Sequence, residues 1–137
     1  MELPPKDPDH WLHRFSPEEW LKSAVNELVE GVAALDARNQ RGSVAHARRA
    51  AGMALNAVLV LRPNETWGRS YMEHLRAFGA DAATPEPERK AARSLLMAPL
   101  EGPRLVHIGG AADAGIPTAA KQIIEWCENE VSALLRA

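Results

Sequence analysis

The chain has 137 residues, of which 46% are hydrophobic and 25% charged, and it carries a formal charge of −2. A chain of this length can bury roughly two-thirds of its unfolded surface, so it needs neither a disulfide nor a structural metal. The mild negative charge argues against a protein dominated by nucleic-acid binding. The single cysteine, Cys127, excludes an internal disulfide and a thiolate zinc cluster.

The opening MELPPKDPDHW has no basic stretch followed by an apolar run, so no signal peptide is read there. Together with the sparse cysteine this points to the cytoplasm. The most apolar run, Ala50 to Leu61, is broken by Gly52 and Asn56 and is too short to span a bilayer. No membrane association is expected.

Residues 1–15, with Pro4, Pro5 and Pro8, read as an extended arm docked through Trp11 and Phe15. Residues 16–137 read as one helical-bundle domain. The first helix opens at Ser16-Pro17-Glu18-Glu19, which combines an N-cap serine, a proline at the first helical position and a glutamate three residues after the cap. Leu21, Val25, Leu28, Val32 and Leu35 follow at helical spacing and form the expected buried stripe. The helix fades near Arg38 to Gln40.

The second helix is expected to start with Ser43 as N-cap and to run to Leu61. From Ala50 onward nearly every position is apolar, and many are alanine, so this helix should be surrounded by the others. Arg62-Pro63 ends it, because proline cannot continue the hydrogen-bond ladder.

A third helix is expected to be capped by Asn64 and closed by Gly79, with Trp67, Tyr71, Leu75 and Phe78 on its apolar face. A fourth is capped by Thr84, buries Ala92, Leu95 and Leu96, and stops before Pro99. The stretch from Ala98 to Ile116 is glycine- and proline-rich and reads as a loop of functional length. The last helix opens at Pro117-Thr118 and carries Ile123, Ile124, Cys127, Val131, Leu134 and Leu135 in its stripe. The fold class is therefore all-α: an antiparallel bundle of four to five helices around a central apolar second helix.

Few residues point to chemistry. His10 and His13 stand three apart, but no carboxylate pattern such as HExxH accompanies them and the arm is proline-rich, so no metal and no cofactor are expected. Arg41, Ser43, Arg48 and Arg49 surround the start of the second helix, where free backbone N–H groups and guanidinium charge favour an anion. Trp11, Trp20, Trp67 and Trp126 suit core filling, or alternatively the wall of a small-molecule pocket. Cys127 lies within an apolar stripe and reads as a buried, inert thiol.

The run Ala45-His46-Ala47-Arg48-Arg49-Ala50-Ala51-Gly52-Met53-Ala54-Leu55-Asn56-Ala57-Val58-Leu59 resembles the second helix of HEPN-type domains. The SPEEW entry to the first helix and IIEWCENEV in the last resemble the corresponding elements of that family. The resemblance implies a helical bundle that pairs with a second copy. Many such domains cleave RNA with an arginine followed, four to six residues later, by a histidine near the start of the last helix. At the matching place this chain has Arg104-Leu105-Val106-His107, with only two residues between. Arg41/His46 and Arg69/His74 have a four-residue gap but stand elsewhere.

The resulting expectation is a non-catalytic HEPN-like module acting through a homodimer or a protein partner. The alternatives are a ribonuclease or nucleotide-handling enzyme using Arg104 and His107, with RNA or a nucleotide as ligand, and a small-molecule-binding bundle. The first reading places the dimer contact on the first and last helices.

Overall fold

The computed structural model describes residues 11–98 and 115–137. Among them are five helices and no strand: α1 (Pro17–Asp36), α2 (Gln40–Leu61), α3 (Tyr71–Ala80), α4 (Glu86–Met97) and α5 (Gly115–Arg136). Two short 3-10 turns, Trp11–Arg14 and Glu65–Trp67, precede α1 and α3. The all-α bundle with a central second helix is the architecture expected from the sequence.

The start of α1 follows from local chemistry. The Ser16 hydroxyl accepts the Glu19 backbone N–H at 3.2 Å, and the Glu19 carboxylate accepts the Ser16 N–H at 2.9 Å. This reciprocal cap satisfies two N–H groups that the helix itself cannot. The same bonds hold the Glu19 carboxyl below its usual pKa. Upstream, the segment expected to be extended is instead a turn at Trp11–Arg14. The Trp20 indole N–H donates to the Leu12 carbonyl at 2.8 Å, and Phe15 meets the Trp20 ring edge-on at 4.9 Å.

The buried face of α1 is not the expected stripe. Trp20, Ala24 and Gly31 point inward, while Leu21, Leu28 and Leu35 are half-buried. Val25, Val29 and Val32 are 43%, 59% and 42% exposed. The contact with α2 selects small residues: a Cβ at Gly31 would lie 3.2 Å from the His46 Cβ and 3.4 Å from the Ser43 carbonyl oxygen. Helices this close are joined along a narrow strip, and the larger side chains fall beside it.

A three-residue turn, 37–39, with Arg38 at φ 60°, returns the chain antiparallel to α1. Asn39, not Ser43, caps α2: its side-chain oxygen accepts the Gly42 N–H at 2.9 Å. Asparagine caps as well as serine does, and moving the cap from Ser43 to Asn39 starts α2 four residues earlier, just over one turn. Ser43 thus lies inside the helix, 1% exposed, with its hydroxyl unpartnered.

From Ala50 to Val60 every residue of α2 except Met53 is buried, and α2 touches each of the other four helices. Its alanines and Gly52 permit this approach. A Cβ at Gly52 would overlap the Tyr71 ring on α3. Asn56 is fully buried in this apolar run, and neither of its amide atoms has a partner.

The single third helix expected from Asn64 is split in two. Asn64 caps the turn Glu65–Trp67. Gly68 then takes φ 72°, a left-handed conformation that interrupts the helix, and Ser70 caps α3 by accepting the Glu73 N–H at 3.1 Å. Gly79, expected to close the helix, is buried inside it and packs on Ala92. Thr84 is 4% exposed and does not cap α4; Pro85 occupies that position without a side-chain bond.

In α5, Ile123, Ile124, Cys127 and Val131 are buried, but Leu135 is 53% exposed. Trp126 packs edge-on against Phe78 at 5.0 Å, and Phe78 against Trp67 at 5.9 Å. The described tryptophans are core or edge-of-core aromatics.

Candidate functional site

The Arg104/His107 pair and His10 fall outside the described residues. No cluster of metal-ligating side chains occurs among the described residues. The two pairs with a four-residue gap are not brought together as sites. Arg69 is exposed while His74 is wholly buried. Arg41 is exposed while His46 is turned to Glu27.

Three of the four residues expected at an anion site do converge. Arg41, Arg48 and Arg49 line one cavity of about 410 Å³, with Ala45, Tyr71 and Met72 completing its wall. Residues 41, 45, 48 and 49 share one face of α2 because side chains recur every three to four positions. Tyr71 and Met72 come from the first turn of α3, which the absent side chain of Gly52 lets approach. Ser43 is the exception: it points into the core and takes no part.

The three arginines do different things. Arg48 reaches across to the end of α4, where its Nε donates to the Leu95 carbonyl at 2.8 Å and its Nη2 to Leu96 and Ala98 at 3.2 and 3.3 Å. Carbonyls at a helix C-terminus lack intrahelical donors and carry partial negative charge, so a guanidinium suits them. Partial burial draws the Arg48 pKa down, but a guanidinium keeps its proton.

Arg49 shares the Glu27 carboxylate at 3.3 Å with His46, whose Nδ1 lies 2.7 Å from the same oxygen. The Arg49 side chain is 44% exposed, so its pairing is weak. Arg41 is exposed and has no partner among the described residues.

Partial burial raises the Tyr71 hydroxyl pKa and Glu27 adds to that, while the charges of Arg49 and Arg14 act against it. The hydroxyl therefore stays protonated near neutral pH and can donate. The groove thus holds donors and positive charge. It has no activated nucleophile: Cys127 is fully buried on α5, its thiol pKa pushed well up by burial and by Glu130 and Glu128.

Sequence reasoning gave no role to His74. It is fully buried, its Nδ1–H donates to the Trp67 carbonyl at 2.7 Å, and its ring stacks on Trp11 at 5.9 Å. Burial lowers its pKa, which the Trp67 bond and Glu73 partly offset. Its place between Tyr71 and Phe78 on the apolar face was the available signal. A second cavity, about 340 Å³, lies between α4 and α5 and includes Lys90, Ser94, Thr118 and Gln122. No tryptophan lines either cavity.

The other unusual surface is the outer face of α1. Lys22, Val25, Val29, Val32 and Asp36 are all exposed there and follow one another at spacings of three and four. Compared with models of protein families, with curated proteins and with solved structures, the chain finds no match.

Proposed function

We propose that the chain is a non-catalytic, HEPN-like helical module that acts by association, its partner a second copy bound through the outer face of α1. The observation that carries this reading is the exposure of Val25, Val29 and Val32 at 43%, 59% and 42%. Valine on a solvated helix face contributes nothing to the fold and lowers helix propensity slightly. Three of them at alternating spacings of four and three form the seam by which two helices pair.

The charges at its ends choose the orientation. In a parallel pair Lys22 would meet Lys22 and Asp36 would meet Asp36. In an antiparallel pair centred near Val29, Lys22 of each copy lies at the end occupied by Asp36 of the other. A two-fold contact of this kind is self-complementary. One helix face falls at the small end of interface sizes, so the dimer is weak and depends on concentration.

Light scattering over a concentration series tests the reading. The wild-type chain moves from monomer to dimer as concentration rises. Val29→Glu places a charge at the centre of each copy's seam and leaves a monomer with unchanged helical circular dichroism. A wild-type chain that stays monomeric at every concentration, or a dimer unaffected by Val29→Glu, overturns it.

A further inference from the structure

We infer that the groove between the first turns of α2 and α3 is a binding site for a small phosphate monoester, held by Arg41 and Arg49 with the Tyr71 hydroxyl as a third donor. This goes beyond the association reading and stands on different residues.

The cavity of about 410 Å³ falls within the usual range for small-ligand sites. Its charge is one-sided. Arg41, Arg48 and Arg49 line it, and the charge of Arg14 also bears on the Tyr71 hydroxyl. Among the described residues, the carboxylate that bears on the Tyr71 hydroxyl is Glu27, already bound by His46 at 2.7 Å. Among the described residues, four guanidiniums stand against one engaged carboxylate, a local excess on a chain whose formal charge is −2.

The arginines also differ in availability. Arg48 is engaged by three carbonyl oxygens and contributes field rather than contacts. Arg41 has no partner among the described residues, and Arg49 is held only at 3.3–3.4 Å by a shared carboxylate. Both can turn to a ligand, and the planar guanidinium fork matches the oxygens of a phosphate. Ala45, Met72 and the Tyr71 ring supply an apolar wall on the same groove. A bare ion would leave that wall unused, whereas the organic part of a monoester covers it.

The test is calorimetric titration of the intact chain with phenyl phosphate at low salt. Sodium chloride at equal ionic strength serves as the control, and a short single-stranded RNA as a second arm. Phenyl phosphate binds, and Arg41→Gln with Arg49→Gln weakens it by about tenfold or more, as expected for loss of charge-assisted bonds. Tyr71→Phe weakens it severalfold, and Arg38→Gln, exposed outside the groove, leaves it unchanged. Because Arg41 has no partner among the described residues, Arg41→Gln alone serves if the double variant is unstable. No binding of phenyl phosphate, equal binding by the Arg41 variant, or binding of RNA alone overturns the assignment. A monomeric chain in light scattering does not bear on it.

Discussion

The junction of α2 with α3 and the outer face of α1 treat similar side chains in opposite ways. Within α2 and α3, a histidine, an asparagine and a serine are buried alongside leucine, alanine and phenylalanine. On α1, three valines remain in water although they belong to a broad apolar arc. The difference is the number of neighbours. α2 is met by every other helix, so even its Ser43 and Asn56 are covered. Among the described helices α1 meets α2 and α5, and only a strip of Trp20, Ala24 and Gly31 is needed to join it. Amphipathicity describes what a helix offers, whereas burial depends on what arrives to cover it.

This contrast can be broken most directly at Leu55. It is fully buried on α2, so Leu55→Ala should lose about 2–5 kcal/mol, the sum of lost transfer energy and the cavity left behind. Chemical denaturation measures it, and a loss below about 1 kcal/mol would mean that the α2 surroundings collapse freely.

A pH series probes the same junction at His74. Burial lowers its folded pKa below the ordinary value of 6.5, so the unfolded chain takes up the proton first. Stability is then full above that value and falls as pH drops below it, by at most about 1.4 kcal/mol per pH unit from this group. His74→Gln should flatten the decline between neutral and mildly acidic pH. An unchanged slope would show that His74 is not the titrating group.

The smallest effect belongs to α1. Val29→Ser on the exposed face should change the stability of the monomer by less than about 0.5 kcal/mol, read by thermal melting at low concentration. A larger loss would show that the outer face is already packed within a single copy, and the contrast between the two regions would fail.

The features legible beforehand share one property: their causes lie within a few residues. The Ser16/Glu19 reciprocal cap, the stop at Arg62-Pro63 and the small-residue character of α2 are all of this kind. Caps were legible as residue types but not always as choices. Asn39 and Ser43 both suit an N-cap, and the short turn after α1 favours the earlier one. Asn64 and Ser70 both cap, because Gly68 divides the segment between them. The basic groove was half visible: the α2 arginines could be named, but Tyr71 and Met72, over twenty positions further on, could not be joined to them.

The sequence alone determined that this chain is a helical bundle, where most of its helices run, and that the second would be enclosed. Those outcomes follow from propensity, capping and periodicity, which act over three or four residues. Tertiary structure decided which arc of α1 would be buried, that Ser43 would turn inward, and that Arg48 would bind carbonyls 47 to 50 positions away rather than face a ligand. Such choices depend on which helix lies alongside, and burial and distant pairing become defined only once the helices have packed.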